Sequence, residues 1–262
     1  WIVTNPDMLH LSMLGNARQW TRILRGLRFV VVDECHSYRG VFGSNVALVL
    51  RRLDRLARAM GADPTFVLAS ATTSDAADAA STLTGRDCVE VTEDGSPQGG
   101  RTVALWEPPL MEGLTGENGA PVRRPAPVES SALMAQLVAE GARTLTFVRS
   151  RAGAEATALR AREKLATEHG ARGRELAGRI AAYRAGYLAD DRRKLERDLA
   201  EGALVGVAST SALELGVDIS GLDAVVSAGF PGTIASFWQQ AGRAGRRGQG
   251  ALVMLVARDD PL

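Results

Sequence analysis

Short apolar runs alternate with helical stretches along the first part of the chain. Runs rich in β-branched and aromatic residues predict buried strands at Trp1–Thr4, Phe29–Asp33, Thr65–Ser70 and Cys88–Val91. Between them, apolar residues recur at helical spacing over Asn45–Met60, and Gly61 follows as a stop signal. The pattern therefore predicts an amphipathic helix here, and a further helix is expected to begin near Ser74.

The second part of the chain repeats this alternation. Apolar runs predict strands at Thr144–Val148, Leu204–Ala208, Ala224–Ala228 and Ala251–Val256. Helical spacing predicts helices at Ser131–Glu140, Ala152–Glu168 and Asp190–Glu201. The last of these helices mixes charges of both signs, which is typical of a solvated helix face. Strands that alternate with helices indicate an α/β fold.

The segment between the two parts is rich in glycine and proline, at Asp94–Gly100 and Pro108–Pro127. Such composition marks the best candidate for a domain boundary. A short apolar run, Val103–Trp106, could end the first domain or begin the second. We therefore predict two tandem α/β lobes with mostly parallel sheets, joined by a linker with a short strand, with the boundaries 1–95, 96–128 and 129–262.

The composition is that of an ordinary globular chain. Of 262 residues, 45% are hydrophobic and 23% charged, so each lobe can bury a core. The apolar runs are shorter than the ~20 residues of a membrane-spanning helix, and we expect a soluble, cytoplasmic protein. Cys35 and Cys88 are too few for a disulfide framework or a four-thiolate zinc site. With a net charge of +1, the chain would have to hold any nucleic acid in a local basic groove.

The run Val30–His36 ends a predicted strand with two adjacent acids, Asp33 and Glu34. Ligands of parallel α/β sheets lie beyond the carboxyl ends of strands, where one carboxylate can face a hydrated Mg²⁺ and the next an attacking water. The run resembles the Walker B motif of DExH helicases. This resemblance implies that Asp33 holds Mg²⁺ through water, Glu34 activates water and His36 couples the ATP site to the other lobe. An acidic turn after a buried strand is the alternative.

Ser70-Ala71-Thr72 follows a predicted strand and resembles helicase motif III. The resemblance implies that the hydroxyls of Ser70 and Thr72 bond to Val30–His36 and to the opposite lobe, so that they link hydrolysis to lobe closure. Serine and threonine also favour the N-cap of a helix, which the helix expected near Ser74 would explain.

The segment Gln239–Arg247 fits the pattern Gln-x-x-Gly-Arg-x-Gly-Arg of helicase motif VI. Small residues such as Gly242 let the backbone approach a nucleotide. Arg243 and Arg246 are spaced by three, so both can reach one triphosphate as arginine fingers. Gln239 is expected near the attacking water. The alternative is a basic RNA-binding loop.

The segment Ala208–Asp218 resembles helicase motif V. The resemblance implies that Thr210 and Ser211 contact nucleic-acid phosphates, and that Gly216 and Asp218 approach the ATP ribose. A strand followed by a capped helix describes the same residues and is compatible with these roles.

Three shorter segments follow the same motif order. Thr4–Leu9 resembles motif Ib, Thr144–Arg151 resembles motif IV, and Tyr183–Gly186 lies where a nucleic-acid loop of the second lobe is expected. Together with the segment after the two acids, they predict nucleic-acid contacts from Thr4, Asn5, Pro6, Arg39, Arg149, Ser150 and Arg184.

The motifs together resemble a superfamily 2 helicase, and the resemblance narrows to the YprA/MrfA branch, a mitomycin-repair-type group related to the Hrq helicases of fungi. The segments that carry it are His36–Gly43, Tyr183–Tyr187, Ala212–Asp218 and Trp238–Arg243. The resemblance implies two RecA-like lobes and a 3′-to-5′ DNA helicase linked to repair. It implies ATP and Mg²⁺ as cofactors and single-stranded or tailed duplex nucleic acid, with DNA favoured, as the partner.

The phosphate-binding pattern Gly-x-x-x-x-Gly-Lys-[Ser/Thr] does not occur in the sequence. Members of the family carry it before motif Ib, and they carry a domain with a four-cysteine metal site after motif VI. We therefore expect both in the full protein and an N-terminally truncated first lobe here. Such a chain is expected to expose apolar sheet edge and to hydrolyse ATP no faster than background.

Two alternatives to a DNA helicase stay open. Loops that track a nucleic-acid backbone do not distinguish the sugars reliably, so an RNA helicase fits the same motifs. A nucleotide-insensitive nucleic-acid-binding fragment fits the missing phosphate loop, although Glu34, Arg243 and Arg246 together argue for hydrolysis.

Overall fold

The computed structural model describes residues 1–70, 75–93, 95, 99–116, 119–214, 219, 222–245 and 250–258. The chain divides into Trp1–Asp94 and Gly95–Leu262, which we call unit 1 and unit 2. Both units alternate mostly parallel strands with helices, which confirms the predicted α/β class. In these ranges, no helix combines the length and the apolar character that a membrane crossing requires.

Unit 1 places two parallel strands beside one long helix. Its helices and helical turns are α1 (Pro6–Met8), a π-helical turn (Leu9–Met13), α2 (Thr21–Arg25), a 3₁₀ turn (Cys35–Ser37), α3 (Gly40–Ala59) and α4 (Ala76–Thr84). Its strands are β1 (Phe29–Val32) and β2 (Thr65–Leu68). They pair with Phe29 opposite Thr65 and Val32 opposite Leu68. Helix α3 confirms the predicted amphipathic helix but begins earlier, at Gly40.

The apolar stripe of α3 builds the core of unit 1. Val46, Leu50 and Leu53 are each at most 5% exposed and share one core with Leu24 and Val32. Burial of an aliphatic side chain of this size contributes about 1.5–3 kcal/mol. The stripe therefore packs α3 against the buried face of β1.

The predictions of two strands in unit 1 are wrong. Trp1–Thr4 and Cys88–Val91 are not strands, and Val3, Val89 and Val91 are at least 90% exposed. β-branched residues form a strand where a neighbouring strand supplies hydrogen-bond partners. Among the residues described, β1 and β2 pair only with each other, so neither segment has such a neighbour.

One face of the β1–β2 pair exposes apolar side chains. Phe29 and Val31 are each 57% exposed and Val67 is 46% exposed. Successive strand residues point to opposite faces, so Val32, on the other face, is buried beneath α3. Unit 1 therefore presents apolar strand surface to solvent.

Unit 2 is built on a parallel sheet. The strands are β3 (Arg101–Trp106), β4 (Leu110–Thr115), β5 (Pro121–Arg123), β6 (Thr144–Phe147), β7 (Ile180–Tyr183), β8 (Gly206–Ser209), β9 (Ala224–Ala228) and β10 (Ala251–Val256). In the described part of the chain the sheet order is β3-β10-β9-β6-β8-β7, and β4 and β5 form a separate antiparallel hairpin. The helices are α5 (Ala126–Ala139), α6 (Arg151–Glu168), α7 (Gly170–Gly178), α8 (Ala189–Ala200) and α9 (Ile234–Ala241), with a 3₁₀ turn at Ser211–Leu213.

Both faces of this sheet are covered. Leu145 and Val207 share one core with Leu199 of α8, whereas Ile180 shares another core with Leu165 of α6. Strands buried on both faces have near-continuous apolar sequences. This explains why the predicted bounds of β9 and β10 are confirmed residue for residue.

The segment 96–128, predicted as a linker with one short strand, contains strands β3, β4 and β5 among its described residues. Strand β3 pairs in parallel with β10, with Arg101 opposite Ala251 and Trp106 opposite Val256. The apolar run that could have belonged to either domain therefore lies in the sheet of unit 2.

Candidate functional site

The two adjacent acids follow β1 directly. Asp33 is exposed, and its Oδ1 accepts a hydrogen bond from the backbone N–H of Glu34 over 2.9 Å. Glu34 has φ 49°, the left-handed region that non-glycine residues rarely adopt, and among the described residues no other non-glycine residue has a positive φ. Such strained backbone is often found at functional sites, where the surrounding structure maintains it. This left-handed conformation places Glu34 in a turn that begins directly after β1.

His36 connects this turn to the end of β2. Its Nδ1 lies 3.3 Å from Glu34 Oε2 and 3.3 Å from Ser70 Oγ. The backbone N–H of Cys35 donates to the carbonyl of Ala69 over 3.0 Å, which holds the two strand ends together. Burial raises the pKa of the Cys35 thiol, so that thiol stays protonated at neutral pH. The predicted residues Glu34, His36 and Ser70 therefore meet in one hydrogen-bonding group.

The donor set of this turn fits Mg²⁺ bound through water. Mg²⁺ usually keeps several water ligands and needs only one or two protein carboxylates, and Asp33 is an exposed carboxylate at the carboxyl end of a parallel strand. Among the described residues, no three His, Cys, Asp or Glu side chains form a preformed metal cluster. Asp33 is thus the residue of unit 1 that could hold the ion.

The predicted nucleic-acid contacts of unit 1 lie at helix starts. Asn5 is the N-cap of α1, where its Oδ1 accepts from Met8 N–H over 2.8 Å, and Pro6 occupies the first turn. Thr4 is exposed beside them. Arg39 is exposed at the N-cap position of α3. Helix capping accounts for Asn5 and Pro6 without a ligand.

Unit 2 brings the other predicted nucleic-acid contacts to one edge of its sheet. Phe147 and Tyr183, the last residues of β6 and β7, both pair with Ser209, the last residue of β8. The loops that follow these strands therefore begin side by side. They carry Arg149, Ser150, Arg184, Thr210 and Ser211.

Local hydrogen bonds shape two of these loops. Ser150 is the N-cap of α6, and its Oγ accepts from Gly153 N–H over 3.0 Å. Thr210 caps the 3₁₀ turn, and its Oγ1 accepts from Ala212 N–H over 3.4 Å. Arg149 and Ser211 are exposed. The helix start at Ser150 adds backbone N–H groups that favour an anion.

Arg184 is held in a small charged group. Its Nε donates to Glu155 Oε1 over 2.9 Å, and its guanidinium lies 4.6 Å from the ring centre of Tyr187. The Tyr187 hydroxyl donates to the same carboxylate oxygen over 2.7 Å. The hydrogen bond from Tyr187 and the contact with Arg184 lower the pKa of Glu155, and the bond to Glu155 raises the pKa of Arg184. Both groups are therefore charged at neutral pH.

The segment predicted as motif VI lies at the end of α9. Thr233 caps this helix by accepting from Ser236 N–H over 3.0 Å, and Gly242 ends it, where an added Cβ would lie 3.2 Å from the carbonyl of Trp238. Arg243 Nη2 donates to the carbonyl of Glu214 over 2.6 Å, and its Nη1 donates to that of Ile219 over 3.3 Å. Arg243 therefore contacts the backbone of the segment predicted as motif V. Gln239 is half-buried on α9.

Four predicted site residues lie outside the described residues: Thr72, Gly216, Asp218 and Arg246. In the other direction, the sequence did not point to several polar residues that the structure places in these groups, namely Glu155, Tyr187, Glu214, Ser227 and Gln240. Tyr187, Glu214 and Gln240 had a signal, since they lie in the segments Tyr183–Tyr187, Ala212–Asp218 and Trp238–Arg243, although no role was predicted for them. The others depend on contacts between distant parts of the chain.

Comparison with known families matches both units. Residues 1–80 match the model of the DEAD/DEAH box helicases. Residues 129–248 match the model of the helicase conserved C-terminal domain.

Individual relatives match along the whole chain. The chain is 40% identical over 261 residues to the uncharacterized ATP-dependent helicase YprA of Bacillus subtilis, covering 100% of this chain and 33% of that protein. It is 41% identical over 265 residues to the ATP-dependent helicase HRQ1 of Saccharomyces cerevisiae, covering 100% of this chain and 24% of that protein.

A solved structure with a similar fold is that of the DUF1998 helicase MrfA bound to DNA and AMPPNP. It has a TM-score of 0.87 and 41% identity, covering 98% of this chain and 34% of that one. The chain thus spans a quarter to a third of the length of these relatives. The family matches and the relatives agree with the predicted resemblance, and the chain belongs to the DEAD/DEAH box helicases of superfamily 2, within the group of YprA, MrfA and Hrq1.

Proposed function

We propose that this chain is part of the motor of an ATP-dependent DNA helicase, which couples ATP hydrolysis to movement along one strand. The observation that carries the proposal is the shared edge of unit 2. There the in-register ends of β6, β7 and β8 let the loops that carry Arg149, Arg184 and Thr210 begin side by side. Guanidinium and hydroxyl donors in a row suit successive phosphates of a single strand.

The group around Glu34 supports the hydrolytic half of the proposal. Glu34 is 40% exposed at its side chain and contacts His36, so it can accept a proton from water while His36 fixes its position. Asp33 would hold Mg²⁺ through water, and the ion would neutralise charge on the nucleotide phosphates. Ser70 lies within hydrogen-bonding distance of His36, which supports a role for it, and with it Thr72, in linking hydrolysis to motion.

The segment from Gln239 to Arg246 would supply the arginines of the reaction. Arg243 carries its charge beside the segment Thr210–Asp218, in which Gly216 and Asp218 would approach the ATP ribose. Gln239 would lie near the attacking water, and Gly242 would let the backbone approach the nucleotide. The spacing of Arg243 and Arg246 supports their joint action on one triphosphate.

DNA is the preferred partner in this proposal. The related MrfA has been crystallised with DNA and a nucleotide analogue, and single-stranded or tailed duplex DNA would lie along the basic edge of unit 2. Thr4, Asn5, Pro6 and Arg39 would add contacts from unit 1. Movement in the 3′-to-5′ direction, a role in DNA repair and a cytoplasmic location are further parts of the proposal, which rest on the family resemblance.

The test uses the full-length protein with ATP and Mg²⁺. ATP hydrolysis is measured with and without single-stranded DNA, and unwinding is measured on DNA and RNA duplexes of one sequence with a 3′ or a 5′ tail. We expect hydrolysis stimulated by DNA and unwinding of the 3′-tailed DNA duplex. ATP hydrolysis that DNA does not stimulate would overturn the proposal, and unwinding of the RNA duplexes alone would overturn the choice of DNA.

A further inference from the structure

Three polar side chains from distant segments meet in the interior of unit 2. Glu214 follows the 3₁₀ turn Ser211–Leu213, Ser227 belongs to β9, and Gln240 belongs to α9. Their exposed fractions are 7%, 2% and 4%. Glutamate and glutamine are rarely buried to this degree unless they are paired, so the group calls for a physical explanation.

The side chain of Gln240 is bonded at both ends. Its Nε2 donates to Glu214 Oε2 over 3.1 Å, and its Oε1 accepts from Ser227 Oγ over 2.9 Å. The Ser227 hydroxyl also lies 2.9 Å from the carbonyl of Gly229. Because the carboxylate of Glu214 only accepts, the amide nitrogen of Gln240 faces it, which turns the amide oxygen towards the Ser227 hydroxyl.

Glu214 is also bonded through its backbone. Its carbonyl accepts from Arg243 Nη2 over 2.6 Å, while its carboxylate accepts from Gln240. Gln240 and Arg243 are three residues apart, at the end of α9 and just beyond it. Glu214 is therefore held at two points, by Gln240 through its carboxylate and by Arg243 through its backbone carbonyl.

A second set of backbone bonds fixes the same junction. The N–H of Leu222 donates to the carbonyl of Arg243 over 3.3 Å, and the N–H of Gly245 donates to the carbonyl of Leu222 over 2.8 Å. In addition, Arg101 Nε donates to the carbonyl of Ala244 over 3.2 Å. These bonds hold the backbone at Arg243, and the carbonyls of Glu214 and Ile219 accept from its guanidinium.

We propose that Glu214 and Gln240 are positioning residues that set the guanidinium of Arg243 for ATP hydrolysis. The inference rests on the proposed function, since it assigns them a part in the same reaction. An apolar pair in place of Glu214 and Gln240 would fill the same volume at little or no cost in stability, but it would not fix the position of α9 along the segment against which it packs. The amide–carboxylate pair permits one register, because any slip leaves a buried charge without its donor. Arg243 then keeps a constant position relative to the segment Thr210–Asp218.

A charge-swap cycle in the full-length protein tests this inference. Gln240→Glu places two carboxylates at the 3.1 Å contact in the interior. We expect it to lower kcat for DNA-stimulated ATP hydrolysis at least about 30-fold, with KM for ATP changed less than about 3-fold, since the arginine acts on the transferred charge. Glu214→Gln combined with Gln240→Glu restores one donor and one acceptor, and the hydroxyl of Ser227 can still donate to position 240. We expect this double variant to lie within about 3-fold of wild type.

The control is Val226→Ala, which shortens a fully buried side chain in the neighbouring core. It should lower the melting temperature but not kcat when activity is measured well below that temperature. Unchanged kcat for Gln240→Glu, or loss of kcat that the double variant does not recover, overturns the inference. If Gln240→Glu does not fold, Ser227→Ala replaces it, and an unchanged kcat of that variant has the same meaning.

Failure of this inference can be told apart from failure of the proposed function. Wild-type protein without DNA-stimulated hydrolysis contradicts the proposed function itself. In that case the pair is still tested by the melting temperatures of the wild type, Gln240→Glu and the double variant. If the double variant recovers the melting temperature of the wild type, Glu214 and Gln240 form a stabilising pair without a role in hydrolysis. That result overturns the positioning role.

Discussion

Ser70 Oγ lies 3.3 Å from Nδ1 of His36, and the same nitrogen lies 3.3 Å from the carboxylate of Glu34. The contact joins residues separated by 34 positions at the ends of two neighbouring parallel strands. His36 is only 9% exposed at its side chain, whereas Glu34 is 40% exposed. The imidazole is thus a buried connection between an exposed acid and the strand end that carries Ser70.

Glu34→Gln should abolish most ATP hydrolysis by the full-length protein while nucleotide binding is retained. The amide keeps the size of the side chain and can still contact His36, but it cannot accept a proton from water. We expect kcat to fall at least about 100-fold, in line with loss of a general base. Steady-state hydrolysis and binding of a fluorescent ATP analogue are the two measurements.

The matched control for this variant is Glu90→Gln, which makes the same chemical change at an exposed acid of unit 1. It should hydrolyse ATP like the wild type. A near-normal rate for Glu34→Gln would remove Glu34 from the water-activating role and leave it as part of an acidic turn.

Arg184→Ala should weaken binding of single-stranded DNA and reduce its dependence on salt. If one phosphate contact is lost, the slope of log K against log salt should become less steep by about 0.7. Titrations of a labelled oligonucleotide at several salt concentrations give this slope directly.

Arg193→Ala serves as the control for Arg184→Ala, since Arg193 is an exposed arginine paired with Asp190 on α8. Its loss should leave the salt slope unchanged. Equal slopes for wild type and Arg184→Ala would mean that Arg184 serves only in the ion pair with Glu155, and that other residues bind the DNA.

Much of the fold of unit 2 could be predicted because its strands are buried on both faces. Ala251–Val256 is an uninterrupted apolar run, and Ala224–Ala228 is interrupted only by Ser227, so both can be recognised from the local sequence alone. Strand β7, with the sequence Ile-Ala-Ala-Tyr, has two central alanines, a residue type that is depleted in strands. It is a strand because it pairs with β8 and is buried, which no local pattern reveals.

The sequence points to candidate site residues where the chemistry is local, and not where it depends on contacts between distant parts of the chain. Asp33 and Glu34 are adjacent, and the arginines near Gln239 have a fixed spacing, so the sequence displays both groups. The pairing of Glu214 with Gln240 spans 26 positions, and that of Gln240 with Ser227 spans 13. The strand predicted at Trp1–Thr4 fails although its local pattern is present, because apolar β-branched residues do not form a strand without a neighbouring strand.

Arg243→Lys should lower ATP turnover and also destabilise unit 2. A lysine ammonium cannot bridge the carbonyls of Glu214 and Ile219 as the guanidinium does. We expect kcat to fall at least about 100-fold, since arginine fingers contribute about 10³–10⁵-fold in related reactions, together with a lower melting temperature. Activity assays and differential scanning calorimetry measure the two effects.

Arg193→Lys is the control for this substitution, because it exchanges the same residue types at a surface ion pair. Both its turnover and its melting temperature should match the wild type. A destabilised Arg243→Lys protein that keeps its turnover would show that Arg243 braces the backbone and takes no part in hydrolysis.

Tyr183 should make the stability of unit 2 fall between pH 10 and pH 12. Burial and the hydrogen bond to Glu196 raise the pKa of Tyr183 to about 12, above its ordinary value of 10.0. The contribution of the neutral phenol is therefore complete below pH 10 and is lost as the pH rises towards 12, because the unfolded chain ionises first. Tyr183→Phe lacks this loss, although at pH 8 it gives up a hydrogen bond worth about 1 kcal/mol. Melting temperatures at pH 8 and pH 11 should show the variant below wild type at pH 8, with the gap closed or reversed at pH 11. A gap that stays constant would mean that Tyr183 ionises as readily in the folded protein as in the unfolded one.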